Sequence, residues 1–139
     1  MRTSLRIISA LSLTATLALS VAACSSSPEE NTASACSAQT AFVTAVNEVK
    51  TSLDESSTLA EIKVARDKVS TAYSTLNKEL DNVGSDQAKE LETAWKDLDK
   101  AVSDLDDGLT VPQAKDALSG SLSKVENAQT AVKTGLDCS

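Results

Sequence analysis

No histidine occurs in this chain of 139 residues, and aromatic residues make up only 2% of it, namely Phe42, Tyr73 and Trp95. Without histidine, the commonest general base and the commonest metal ligand are both missing. A Ser-His-Asp or Cys-His arrangement and any His-containing zinc site are thereby excluded. Glycine occurs four times and proline twice. So few turn formers and β-favouring aromatics argue against a sandwich, a barrel or a collagen-like chain. There is no Gly-x-Ser-x-Gly elbow and no Gly-rich loop that would cradle a phosphate. The expectation is a protein with no catalytic residues and no cofactor, and not an enzyme. Positive charge is scarce as well. The chain carries 13 Lys and Arg against 20 Asp and Glu, a net charge of −7. Setting aside Arg2 and Arg6, which lie in the N-terminal segment, 11 basic residues face 20 acidic ones, a net of −9. Such a surface repels nucleic acid and anionic lipid head groups.

What is present begins with a sorting signal. Met1 to Arg6 is short and basic, Ile7 to Leu19 is apolar but diluted by Ser and Thr, and Val21-Ala22-Ala23-Cys24 follows. A basic start, a short apolar run and small residues before a cut describe a secretory signal peptide. The run is too short and broken for a spanning helix, which needs about 20 apolar residues. The Val-Ala-Ala-Cys run resembles the lipobox of bacterial lipoproteins, with a branched apolar residue, two small ones and then cysteine. That resemblance covers residues 1–24. It implies that 1–23 are removed and that the Cys24 thiol takes a diacylglycerol, with palmitate-type chains, at the new N-terminus. Two acyl chains suffice for stable anchoring. The implied location is the outer face of the cell membrane or another envelope membrane. Residues 24–34, rich in Ser, Pro and Glu, are expected to form a flexible tether.

From Ala35 onward the apolar residues recur at steps of three and four, the period of an amphipathic helix. One stripe runs from Ala35 through Phe42 and Val49 to Leu53, and a second from Leu59 through Ile62, Val69 and Leu76 to Val83. A third joins Ala88, Leu91, Trp95, Leu98, Val102 and Leu105; the fourth runs from Val111 through Leu118, Leu122 and Val125 to Leu136. No stretch alternates with period two. Thr58 with Glu61, and Thr110 with Gln113, have capping-box spacing; Pro112 fits a first turn. Gly84 and Gly108 suit helix ends, and Ser85 suits a helix start. The predicted helices span 35–53, 58–83, 85–107 and 110–136. Short connections make neighbours antiparallel, so residues 35–139 are expected to form an all-α, up-down-up-down four-helix bundle.

Three cysteines are present, and lipidation of Cys24 leaves two. Cys36 opens the first helix and Cys138 follows the fourth, which in a four-helix bundle lie at the same end. In a three-helix bundle they would lie roughly 30 Å apart, far beyond disulfide reach. Export favours a Cys36–Cys138 disulfide. A pair of free redox thiols is the alternative, although no Cys-x-x-Cys is present.

Only one cluster invites a functional reading. Asp54, Glu55 and Glu61 fall near one turn, and Asp104, Asp106 and Asp107 near another at the same end of the expected bundle. Asp104-Leu105-Asp106-Asp107-Gly108 resembles part of a calcium loop but lacks its spacing and distal Glu. Asp104, Asp106 and Asp107 are therefore the metal candidates, with a docked basic partner as the other use of an acidic tip. Lys50, Lys100 and Lys115 lie near enough to offset the charge. The off-stripe apolar residues Val43, Val64 and Leu109 are too scattered to define a docking patch. The sequence reads as a monomeric, membrane-anchored binding or structural module with a protein partner in the envelope. The alternative is an accessory lipoprotein that binds a small ligand or cation through acidic turn residues.

Overall fold

The computed structural model describes residues 27–54 and 56–139. Residues 1–26, including Cys24, lie outside the described residues, as does Glu55. Among the described residues all regular structure is helical: α1 Pro28–Thr51, α2 Leu59–Val83, α3 Ala88–Ser103 and α4 Val111–Gly135. At 1.5 Å per residue, α1, α2 and α4 are each about 36–38 Å long and α3 is about 24 Å.

The first helix starts earlier than the sequence reading placed it. Residues 28–34, expected in a flexible tether, are its first two turns. The Ser27 hydroxyl accepts the Glu30 N–H at 3.2 Å, and the Ser27 N–H donates to the Glu30 carboxylate at 2.8 Å. Pro28 fills the first helical position, where its missing N–H does no harm. Glu29 and Glu30 lie at the positive end of the helix dipole. The hydrogen bonds from Ser27 hold the Glu30 carboxyl below its ordinary value. Ser-x-x-Glu spacing thus wins over a composition that looks disordered.

The second helix opens as expected, with Glu61 accepting from the Thr58 N–H at 2.7 Å. It closes on Gly84, whose φ of 64° is left-handed. Gly84 N–H bonds Asp81 C=O, and Ser85 N–H bonds Leu80 C=O, the paired bonds of a Schellman motif. Ser85 does not cap α3, contrary to its sequence signal. Its hydroxyl donates to Gln87 Oε1 at 3.0 Å, and the helix begins three residues later, at Ala88. Nor does α3 reach Gly108. Asp104, Asp106 and Asp107 would oppose the dipole at a helix C-terminus, and Asp bonds readily to nearby turn backbone. The helix stops at Ser103; Asp106 Oδ1 then accepts the Gly108 N–H at 2.8 Å, while Leu105 folds back into the core. In α4, Gln113 Oε1 accepts the Thr110 N–H at 2.9 Å, as its spacing predicted.

The four stripes converge on one core. Leu76 and Leu98 are fully buried and Leu122 is 6% exposed. The three aromatics meet in a single layer across α1, α2 and α3. Tyr73 stacks on Trp95 with ring centroids 5.8 Å apart and meets Phe42 edge-on at 6.3 Å. Burial, aided by the negative charges of Glu92 and Asp81, raises the pKa of the Tyr73 phenol. Packing is uneven around the molecule. Of the four main helix–helix contacts, α1–α2 is the most extensive, then α3–α4, then α2–α3, and α1–α4 is the thinnest.

A disulfide closes that thin seam: Cys36 and Cys138, 102 positions apart in sequence, are joined with Cα atoms 5.6 Å apart. The approach depends on the end of α4. Asp137 is the one non-glycine residue in the left-handed region among the described residues, at φ 54°. Asp137 N–H bonds Thr134 C=O and Cys138 N–H bonds Lys133 C=O, a second Schellman-type end that turns Cys138 back toward α1.

Truncating Leu76, Leu98 or Leu122 to Ala should cost about 2–5 kcal/mol in urea unfolding; costs below about 0.5 kcal/mol at all three would contradict this core. At the end of α4, Asp137→Gly should hold or raise stability by up to about 1 kcal/mol, whereas Asp137→Val should lower it by about 1–2 kcal/mol, because a β-branched residue disfavours a left-handed backbone. Equal stabilities for the two variants would show that the left-handed turn is unimportant.

Candidate functional site

The acidic end is where the sequence placed its candidates, and the structure gives each described carboxylate a local partner. Asp54 Oδ1 accepts the Ser56 N–H at 3.2 Å, and Glu61 caps α2. Asp104 pairs with Lys100 one turn earlier on α3. Asp106 is bound to the Gly108 N–H. Asp107, in the loop after α3, meets Lys63 of α2 at 2.6 Å. The three aspartates are therefore directed to three different partners. Among the described residues, no group of three or more His, Cys, Asp or Glu side chains is arranged to hold a metal ion. The Lys63–Asp107 pair does bring the loop after α3 against the first turns of α2. Lys63 lowers the pKa of Asp107, first through their hydrogen bond and then through its charge.

The same end has a shallow crevice of about 480 Å³ where Leu53 and Asp54 face Pro112, Lys115 and Asp116. Lys115 and Asp54 thus line the same crevice. Two more crevices follow the α1–α4 seam. Lys50, Leu122 and Glu126 are among the residues around one of about 280 Å³, and Lys50 bridges to Glu126 there. The other, of about 290 Å³, lies between Gln39 and Gln129 near the disulfide. Neither glutamine stands out in the sequence, because a polar residue beside an apolar stripe reads as solvent-facing. Spacing was the available signal. Gln39 falls one turn after Cys36 and lies on the buried side of α1.

Ion pairs cross between helices on the remaining surface. Lys68–Glu48, Arg66–Asp99 and Lys124–Asp97 link neighbouring helices. Such exposed pairs contribute about 0–1 kcal/mol each. Val64 is the one large apolar side chain that is exposed among the described residues, at 58%; Val43 and Leu109 are half-buried. Set against known protein families, curated proteins and solved structures, the chain matches none.

Asp107 should titrate below the ordinary aspartate range, and Lys63→Ala should move its midpoint upward, followed by carboxyl ¹³C shifts. Because the folded pKa is depressed, the stabilisation from this pair is present above the ordinary aspartate pKa and is lost as pH falls through the folded value. An unchanged Asp107 midpoint in Lys63→Ala would show that the pair does not form in solution.

Proposed function

We propose that this chain is an exported lipoprotein, anchored through Cys24 at the cell envelope, whose helical domain is a non-enzymatic binding or structural module. The Val21-Ala22-Ala23-Cys24 run carries the reading. One structural observation supports it: a cross-link between distant cysteines suits an oxidising compartment outside the cytoplasm. Among the described residues no helix is long and apolar enough to cross a membrane.

The helices run up-down-up-down in this reading. Support comes from the pairs between neighbours, in which residue numbers on one helix fall as those on the other rise. Phe42 meets Tyr73 while Glu48 meets Lys68; Tyr73 meets Trp95 while Lys63 meets Asp107. On α1 and α4, Cys36 meets Cys138 while Lys50 meets Glu126. The disulfide end then faces the bilayer. Because α1 is capped by Ser27, only three residues separate its first turn from Cys24. Three residues reach at most about 11 Å, so the bundle stands close to the membrane with the 52–58 and 104–110 turns pointing away.

A cation-binding role for the acidic turns is the weaker alternative, since their carboxylates are engaged by Lys63, Lys100, Gly108 and the α2 cap. The protein should partition into the detergent phase with the membrane fraction, and Cys24→Ala should move it to the aqueous phase. Identical partitioning of parent and variant would refute the anchor.

A further inference from the structure

The crevice nearest the disulfide is built differently from the rest of the surface. Its walls are Gln39, Thr40 and Val43 on α1 and Gln129, Thr130 and Lys133 on α4. Gln39 is the one polar residue in the buried set among the described residues, at 5% exposed. Gln129 Oε1 is closed off from solvent and has no hydrogen-bond partner among the described residues. An unpaired buried acceptor is costly, so this oxygen favours any donor that reaches it. The two threonine hydroxyls do not supply one. Thr40 donates to Cys36 C=O at 3.0 Å, and Thr130 to Glu126 C=O at 2.8 Å.

Each glutamine offers an N–H donor and a C=O acceptor, which together complement both ends of a secondary amide. Val43 adds an apolar spot, and Lys133 an exposed cation at the rim. We propose that this crevice binds a short acylated amino acid or a peptide C-terminus. The amide lies between Gln39 and Gln129, a small side chain rests on Val43, and the carboxylate meets Lys133. Rotation about the soft terminal torsion of Gln129 turns its oxygen to the ligand. A volume of about 290 Å³ sits at the small end of ligand sites and suits such a group. The disulfide, one turn before Gln39 on one wall and five residues after Lys133 on the other, holds the walls at a fixed spacing. Walls held at a fixed spacing lose little backbone freedom on binding. The inference rests on the domain being a binding module and is independent of the anchor at Cys24.

The test is ¹⁵N NMR titration of the full chain in mild detergent with Cys36–Cys138 formed. Three probes are used: N-acetyl-alanine, its neutral N-methylamide, and a tetraglycyl-alanine peptide with a free C-terminus. N-acetyl-alanine should give saturable shifts at the Gln39 and Gln129 side-chain amides in the millimolar range, as suits a ligand of so few atoms. The neutral amide should bind more weakly. Binding by the peptide assigns the natural source as peptide ends, and its failure beside a binding N-acetyl-alanine assigns a free acid. Lys133→Ala, at an exposed position, should weaken N-acetyl-alanine by about tenfold and leave the neutral amide unchanged. Gln129→Leu, with its melting temperature checked, should abolish all binding. Absence of shifts at both glutamines for every probe, or parental binding in Lys133→Ala, would overturn the proposal. Failure here would leave the partitioning result for Cys24→Ala untouched.

Discussion

The contact between the first and last helices is the constraint on which this bundle depends. Neighbours in sequence are brought together by short turns, but α1 and α4 have no such connection, and their packing is the thinnest of the four main helix–helix contacts. Cys36–Cys138 supplies the missing link, removing the freedom of a loop of about 100 residues from the unfolded chain. In the chain-entropy account that is worth up to about 4.7 kcal/mol, comparable with the whole net stability of a small domain. The bond is made possible locally by the left-handed Asp137, and the crevice walled by Gln39 and Gln129 starts one turn along α1 from Cys36.

Much of this was legible in the sequence because the governing signals are periodic. Stripes at steps of three and four gave four helices, and Leu76, Leu98 and Leu122 lie inside as their places on those stripes required. The cysteine pairing followed from setting Cys24 aside for the lipid and from four antiparallel helices bringing Cys36 and Cys138 to one end. The errors arose where two local rules compete. Ser27-Pro28-Glu29-Glu30 has the composition of a linker and the spacing of a capping box, and hydrogen-bond geometry decides for the helix. Ser85 has a capping side chain, but the Schellman end of α2 and the bond to Gln87 engage it first. The run from Asp104 to Gly108 is apolar enough at Leu105 to continue a stripe, yet its aspartates favour a turn.

The candidate site was less legible, for a different reason. Acidic residues are conspicuous in a sequence, but whether they stand together is a tertiary fact. Here Lys63 from α2 and Lys100 from α3 each take one of the three aspartates. Buried glutamines are inconspicuous, and their significance depends on which helices approach and how closely. Gln39 and Gln129 are 90 positions apart in the sequence, and only closure of the α1–α4 seam places them around one crevice. The bond that stabilises the bundle is thus also the bond that shapes its most distinctive polar surface.

Comparing the oxidised protein with the Cys36→Ala/Cys138→Ala variant by urea unfolding and amide hydrogen exchange tests this dependence most directly. The account predicts stability lower by about 2–5 kcal/mol with helicity retained. It also predicts that protection falls first along the seam, around Gln39–Val46 and Val125–Val132. Unchanged stability, or a loss of protection spread evenly over all four helices, would contradict it.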